Sequence, residues 1–135
     1  MKTYLTDIEG EGVIITLEDG EEQKGQEIDS FIRRQRTIHD NDVNELLNDI
    51  KGAGAQAISI NDERIIYNTS VYCAGQFLKI DKNIKTPAPF EIKIIGEKER
   101  LEAELLSDQS TLERLKNRGI KINFKTVDNI KIKAL

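Results

Sequence analysis

Residues 38–66, IHDNDVNELLNDIKGAGAQAISINDERII, set out a helix, its stop, a strand and a tight turn in one uninterrupted run. Val43, Leu46, Leu47 and Ile50 fall at i, i+3, i+4 and i+7, one apolar stripe that predicts a helix over residues 42–53. Asn41 or Asp42 can cap its exposed amides, and Asp42 with Glu45 has capping-box spacing in acidic form. Gly52 and Gly54 supply the stop, because glycine enters the left-handed region at little steric cost. Ile58 and Ile60 then alternate with Ser59, Asn61-Asp62-Glu63 turns, and residues 64–67 return as the second strand of a hairpin.

Upstream, residues 11–18 (EGVIITLE) read as a β-branched strand closed by Asp19-Gly20. Residues 19–37 are polar, acidic then basic, and read as a long exposed connection with a short helical turn near residues 28–33. Downstream, residues 77–81 form a strand, and Cys73 falls between strands. Thr86-Pro87-Ala88-Pro89 is an extended connector, since the residue before proline avoids helix. Phe90, Ile92 and Ile94 alternate with Glu91 and Lys93 in a half-buried strand ending at Gly96. A second helix starts near Glu97, with Leu101, Leu105 and Leu106 inward. Ser110-x-x-Glu113 is a capping box opening a short third helix, with Leu112 and Leu115 inward and Gly119 as its end. Residues 120–133 form one bent strand or two hairpinned ones. The order of elements predicts an α+β fold: a mixed, mostly antiparallel sheet with two or three helices on one face.

Composition narrows the function classes. One domain accommodates all 135 residues, and with no tryptophan the core rests on Ile, Leu and Val. Charged residues make up 33% and the net charge is −4, a poor basis for nucleic-acid binding. Charge is uneven: Lys2 and Lys24 face many acids early in the chain, whereas Lys121, Lys125, Lys131 and Lys133 face Asp128 alone at its end. Alternating lysines of this kind are read as the solvent side of a strand. The single cysteine, Cys73, excludes an internal disulfide and a cysteine-rich metal site. No stretch approaches the roughly 18 apolar residues of a membrane helix.

No motif specifies a reaction. His39 is the sole histidine, and beside Asp40 and Asp42 it reads as a helix-start residue rather than a base. Cys73 reads as a small residue packed beside Gly75. Gly10-Glu11-Gly12 and Gly52-Ala53-Gly54 lack the phosphate-loop context and read as turn and cap glycines. No cofactor and no metal is called for. The Arg33-Arg34-Gln35-Arg36 run is the densest positive spot and reads as solvated loop. Asn61, Arg64 and Thr69 form a polar cluster around the hairpin, the candidate ligand- or partner-binding site. Arg64 has the fork geometry for a carboxylate or phosphate, although a surface pair with Asp62 or Glu63 is the expected role.

The central block resembles the YlxW/YlxX-like bacterial family, domain of unknown function 881. That family shows a helix of the N-E-L type followed by A-G-A-x-A-I-x-I-N-x-x-R-I; here these are Asn44-Glu45-Leu46 and residues 53–65. Cys73-Ala74-Gly75, residues 89–96 (PFEIKIIG) and residues 10–17 (GEGVIITL) resemble its C-x-G step, its P-Y-x-I-x-A-I-G strand and its G-x-G-V-x-V-x-L strand. Phe90 stands for the usual Tyr, Ile94 for a common Ala, and Asp62 for a frequent Gly. The resemblance implies that residues 1–135 are one domain, the soluble part of a longer protein with an N-terminal membrane anchor and a coiled coil. It implies a place at the cell membrane, on the extracytoplasmic side, and a link to cell division or envelope assembly. The expected function is therefore a non-enzymatic interaction domain that binds a protein partner or itself, touching the membrane only through that anchor. The alternative is a regulatory module binding a small ligand near Asn61, Arg64 and Thr69.

Overall fold

A computed structural model describes residues 6–20, 35, 37–66, 69, 71–74, 77–80 and 84–134; for residues 72–74, 77, 84 and 85 it describes the backbone alone. Along the chain run β1 (Ile8–Glu18), α1 (Asp40–Gly52), β2 (Ala57–Ile60), β3 (Glu63–Ile65), β4 (Val71–Ala74), β5 (Phe77–Ile80), β6 (Ile84–Pro87), β7 (Phe90–Ile95), α2 (Lys98–Leu105), α3 (Thr111–Asn117) and β8 (Lys121–Ile132). Among the described residues, eight strands form two sheets, one of order β3-β2-β7-β1-β8 and one of order β4-β5-β6. Every strand pair is antiparallel. The α+β class is as expected.

Local chemistry explains the helix ends. α1 starts two residues earlier than its apolar stripe suggests. His39 is the extended N-cap residue, and Asp42, at the third helical position, accepts from the His39 N–H at 2.9 Å. Asp42 thus closes the first turn from inside, where the sequence placed it at the cap. At the other end Gly54 takes φ +87°, Gly54 N–H donates to Lys51 O and Ala55 N–H to Ile50 O. This is a Schellman motif. α3 repeats it: Gly119 has φ +90°, Gly119 N–H donates to Lys116 O and Ile120 N–H to Leu115 O. Its N-cap is the expected one, with Ser110 Oγ accepting from the Glu113 N–H at 3.2 Å. The β2–β3 hairpin turns through Asn61 (φ +47°) and Asp62 (φ +71°), two positive-φ residues, as two-residue type I′ loops require.

The main core lies between the five-stranded sheet and the helices. Val13, Ile15 and Leu17 of β1, Ile58 and Ile60 of β2, and Phe90, Ile92 and Ile94 of β7 face Val43, Leu46, Leu47 and Ile50 of α1, Leu101 and Leu105 of α2, and Leu112 and Leu115 of α3. Each fully buried aliphatic side chain contributes about 1.5–3 kcal/mol. The small sheet adds Val71, Leu78 and Ile80 to the same core. Leu106 departs from the expected inward stripe: it follows the last turn of α2 and is exposed.

A second apolar cluster occupies the back of the sheet: Ala57, Ile95, Ile130 and Ile132, with Ile8, Ile14 and Val127 packed against them. Among the described residues, no helix lies there. Its cover comes from the outer ends of β1 and β8, which curl over the sheet so that β8 touches β2 and β7 directly, although β1 lies between them in the strand order. The bend is set at Gly10 and Gly12, where the β1–β8 register shifts. At Gly12 a Cβ would stand 1.8 Å from the Ile94 carbonyl oxygen. These glycines therefore lie within a strand and permit a close approach, in contrast to the turn or cap role their spacing suggested. Residues 121–132 form the single bent strand of the two alternatives.

The structure also adds two strands the sequence hides. Cys73 lies within β4 rather than between strands, and Thr86-Pro87 belongs to β6 rather than to a connector. The helical turn expected near residues 28–33 lies outside the described residues, as do Arg33, Arg34 and Arg36. The ends of that connection sit together, with Asp19 Oδ1 accepting from the Ile38 N–H at 2.8 Å.

One substitution type has opposite signs at two glycines. Gly12→Ala is expected to destabilise by about 3 kcal/mol or more, because backbone must move. Gly52→Ala, in the last turn of α1 with nothing within 4 Å of a new Cβ, is expected to stabilise by about 0.5–1 kcal/mol. Urea unfolding midpoints of the two variants check this.

Candidate functional site

The three residues proposed from sequence do not share partners. Asn61 joins the hairpin to the β6–β7 connection. Its Nδ2 donates to Thr86 Oγ1 (2.6 Å) and Pro87 O (3.1 Å), its Oδ1 accepts from the Glu91 N–H (2.7 Å), and its own N–H donates to Glu91 O (2.9 Å). Thr69 closes a local turn, with its Oγ1 accepting from the Ile66 N–H at 2.9 Å.

Arg64 is the surprise. It is 5% exposed, not paired at the surface with Asp62 or Glu63 as expected. Opposite Ser59 in the ladder, it lies on the back of the sheet, and Nη1 donates to Thr6 O (3.3 Å) and Lys133 O (3.2 Å). Burial lowers its pKa, and the nearby Asp7 carboxylate opposes that shift. Asp7 also accepts from the Ala134 N–H at 2.7 Å. Arg64 thus fastens the ends of the β1–β8 arm to the far edge of the sheet.

The described surface also has a cleft of about 220 Å³ between α1 and α3, lined by Asp42, Glu45, Thr111, Arg114, Leu115 and Arg118. Its charged groups are engaged with one another. Arg118 grips Asp42 with both ends of its fork (Nη1–Oδ1 2.6 Å, Nη2–Oδ2 3.1 Å), while Nε donates to Gln35 O (2.9 Å) and Nη2 to Thr37 O (3.0 Å). Arg114 pairs with Glu45 at 2.6 Å and touches Thr111 Oγ1. Asp49 Oδ2 accepts from the Thr111 N–H at 2.8 Å, tying α3 to α1. The cleft is smaller than the roughly 300–1,000 Å³ of ordinary ligand pockets. Its chemistry is that of a fastening between helices.

Arg118 was not singled out from sequence. It and Asp42 are 76 residues apart, one at the C-cap of α3 and the other in the first turn of α1, so only the tertiary fold brings them together. His39 sits at the helix start, as read. Among the described residues, no group of three His, Cys, Asp or Glu side chains is placed to hold a metal, every buried side-chain nitrogen and oxygen has a partner, and no helix is long and apolar enough to cross a membrane.

Two arginines therefore carry distinct expectations. Arg64→Met leaves two backbone carbonyls without their donor and is expected to cost about 1–3 kcal/mol, with amide exchange accelerating first at residues 8 and 130–134. Arg118→Lys keeps the charge but loses the fork, and is expected to lose most of the roughly 2 kcal/mol that Arg118→Leu loses, with exchange rising at residues 37–43 instead. Hydrogen exchange with mass spectrometry separates the two patterns.

Comparison with known proteins fits this picture. The whole chain, residues 1–135, matches the family described as bacterial protein of unknown function (DUF881). It is 26% identical over 129 residues to UPF0749 protein YlxW of Bacillus subtilis (strain 168), covering 95% of this chain and 53% of that protein. The chain thus spans about half the length of that relative. The fold is similar to the crystal structure of an uncharacterized conserved protein from Mycobacterium tuberculosis, with a TM-score of 0.79 at 23% identity over 98% of this chain and 87% of that one. The chain belongs to the YlxW-like DUF881 family of bacterial proteins of unknown function.

Proposed function

We propose that this domain is a non-enzymatic interaction module of a longer, membrane-anchored bacterial protein, held on the extracytoplasmic side and serving cell division or envelope assembly. The observation that carries the reading is the engagement of the cleft: Arg118, Asp42, Arg114 and Glu45 bind one another and nearby backbone, an arrangement that fixes a scaffold. The hairpin residues Asn61 and Arg64 likewise bind backbone carbonyls and amides of this same chain. A rigid scaffold suits the presentation of a surface to another protein. The relative's remaining length leaves room for an anchor and a coiled coil.

The test uses full-length protein in Gram-positive cells. Cysteines placed at exposed positions of the domain should react with a membrane-impermeant maleimide in protoplasts, and crosslinking should recover a defined envelope protein. A domain that reacts only after lysis overturns the location. If a metabolite, anion or nucleotide at about 100 times its Kd raises stability by roughly 2.7 kcal/mol in a thermal-shift screen, the ligand-binding alternative replaces this reading.

A further inference from the structure

We infer that the arm made by the outer ends of β1 and β8 is a hinged strap, which swings away from the back of the sheet as one piece and is held shut by Arg64. Such a device belongs to the fold itself and does not rest on the interaction-module reading. It needs a fixed pivot, a ribbon bonded within itself and a catch at the tip. The pivot is the bulge between Gly10 and Gly12, where Glu11 alone faces Asp128 and Asn129. A bulge interrupts the ladder, so the strand pair can bend there while the pairs on either side persist. Both strands are held to the body at this point. Glu11 O accepts from the Gly96 N–H (3.0 Å), Glu11 Oε2 accepts from the Lys98 N–H (3.1 Å), and Asp128 pairs with the Lys98 ammonium.

Beyond the pivot the two strands hold each other. Ile8, Glu9 and Gly10 pair with Ile132, Lys131 and Ile130, Asp7 Oδ1 accepts from the Ala134 N–H (2.7 Å), and Lys131 Nζ lies 3.9 Å from Asp7 Oδ2. The ribbon meets the body through side chains: Ile130 and Ile132 are buried with Ala57 and Ile95, and Ile8 packs alongside. Gly10 lies so close that an added Cβ would stand 3.2 Å from Ile95 Cγ2. Apolar contacts of this kind have no direction and can part together. At the tip one nitrogen, Arg64 Nη1, donates to a carbonyl beside each strand, Thr6 O and Lys133 O, so a single group secures both. Closure also takes the guanidinium out of water, which offsets part of the gain from apolar burial. Opening the strap therefore costs less than unfolding the main core, the mark of a unit that opens on its own.

Native-state hydrogen exchange by NMR in sub-denaturing urea tests this on the 135-residue chain. The protected amides of residues 8–10 and 130–134 should share one opening equilibrium. They should exchange about tenfold or more faster than those of β7 and α1, with a shallower urea dependence. Arg64→Met should accelerate the whole group by one common factor, about tenfold or more. Ile50→Val, in the front core, destabilises the closed and open forms alike. It should speed exchange in β7 and α1 about threefold or more and leave the strap unchanged. With Cys73→Ser, the buried thiol of Ala57→Cys should react with a soluble disulfide reagent on the urea dependence of the strap. Exchange graded from tip to bend is simple fraying and overturns the inference. So do a strap group that follows β7, a response of the strap to Ile50→Val, a thiol that follows β7, or an Arg64→Met variant with unchanged strap exchange. Should Arg64→Met not fold, the wild-type and Ile50→Val patterns decide alone.

Discussion

A sheet with apolar side chains on both faces needs two covers, and among the described residues this fold has helices for only one. The front of the sheet is closed by α1, α2 and α3 in the ordinary α+β manner. The back carries Ala57 and Ile95, and the chain covers them with its own outermost strand pair. That solution makes demands elsewhere. β1 must bend without losing β8, which explains two glycines, a register shift and the contact of Gly12 with the Ile94 carbonyl. The free end of the arm must also be held, and Arg64 reaches from the far edge to take the carbonyls of Thr6 and Lys133. Removing any part uncovers the others, so the bend, the back cluster and the buried arginine act as one unit.

The chain is one-third charged, yet most of its ion pairs lie at the surface. Arg100–Glu104, Arg114–Glu45 and Lys131–Asp7 are half-exposed pairs of the kind worth about 0–1 kcal/mol each. Asp128 raises the pKa of Lys98 and Lys98 lowers that of Asp128, in a pair whose carboxylate is almost fully exposed. Arg64 and Arg118 differ because they are more buried and each holds two backbone carbonyls. Each joins segments far apart in sequence: Arg64 holds both carbonyls through Nη1, and Arg118 uses the planar fork that a lysine lacks. Charge therefore positions parts here, while the aliphatic core supplies the stability.

What was legible in the sequence was local. The stripe Val43–Leu46–Leu47–Ile50, the Ser110–Glu113 cap, the glycine stops and the alternation in β7 all depend on neighbours within a few residues, and all appear in the fold. What was hidden depends on partners far along the chain. Leu106 has the spacing of a core residue, but the helix ends before its face is presented. Thr86 and Pro87 look like a connector, yet pairing with β5 makes them strand. Arg64 sits in a hairpin beside two acids, and only the returning arm buries it. Of the candidate site, the hairpin's existence and turn residues were readable. The partners of Asn61 and Arg64, 25 to 69 residues away, were not. Cys73 was misplaced for the same reason: β4 exists because β5 lies beside it.

This division bears on where function resides. In the described fold the back of the sheet is partly covered by the arm, the front by helices, and the polar side chains of the hairpin and the α1–α3 cleft are bonded within the chain. A strand edge differs in kind from these surfaces. Its backbone donors and acceptors point outward with fixed spacing, and in a β-sheet they can be answered only by water or by another strand. β8 cannot be shortened to blunt that edge, because the same strand must reach past the sheet to build the arm. The length that closes the back of the molecule is therefore also what makes β8 the long outer strand of the sheet among the described residues.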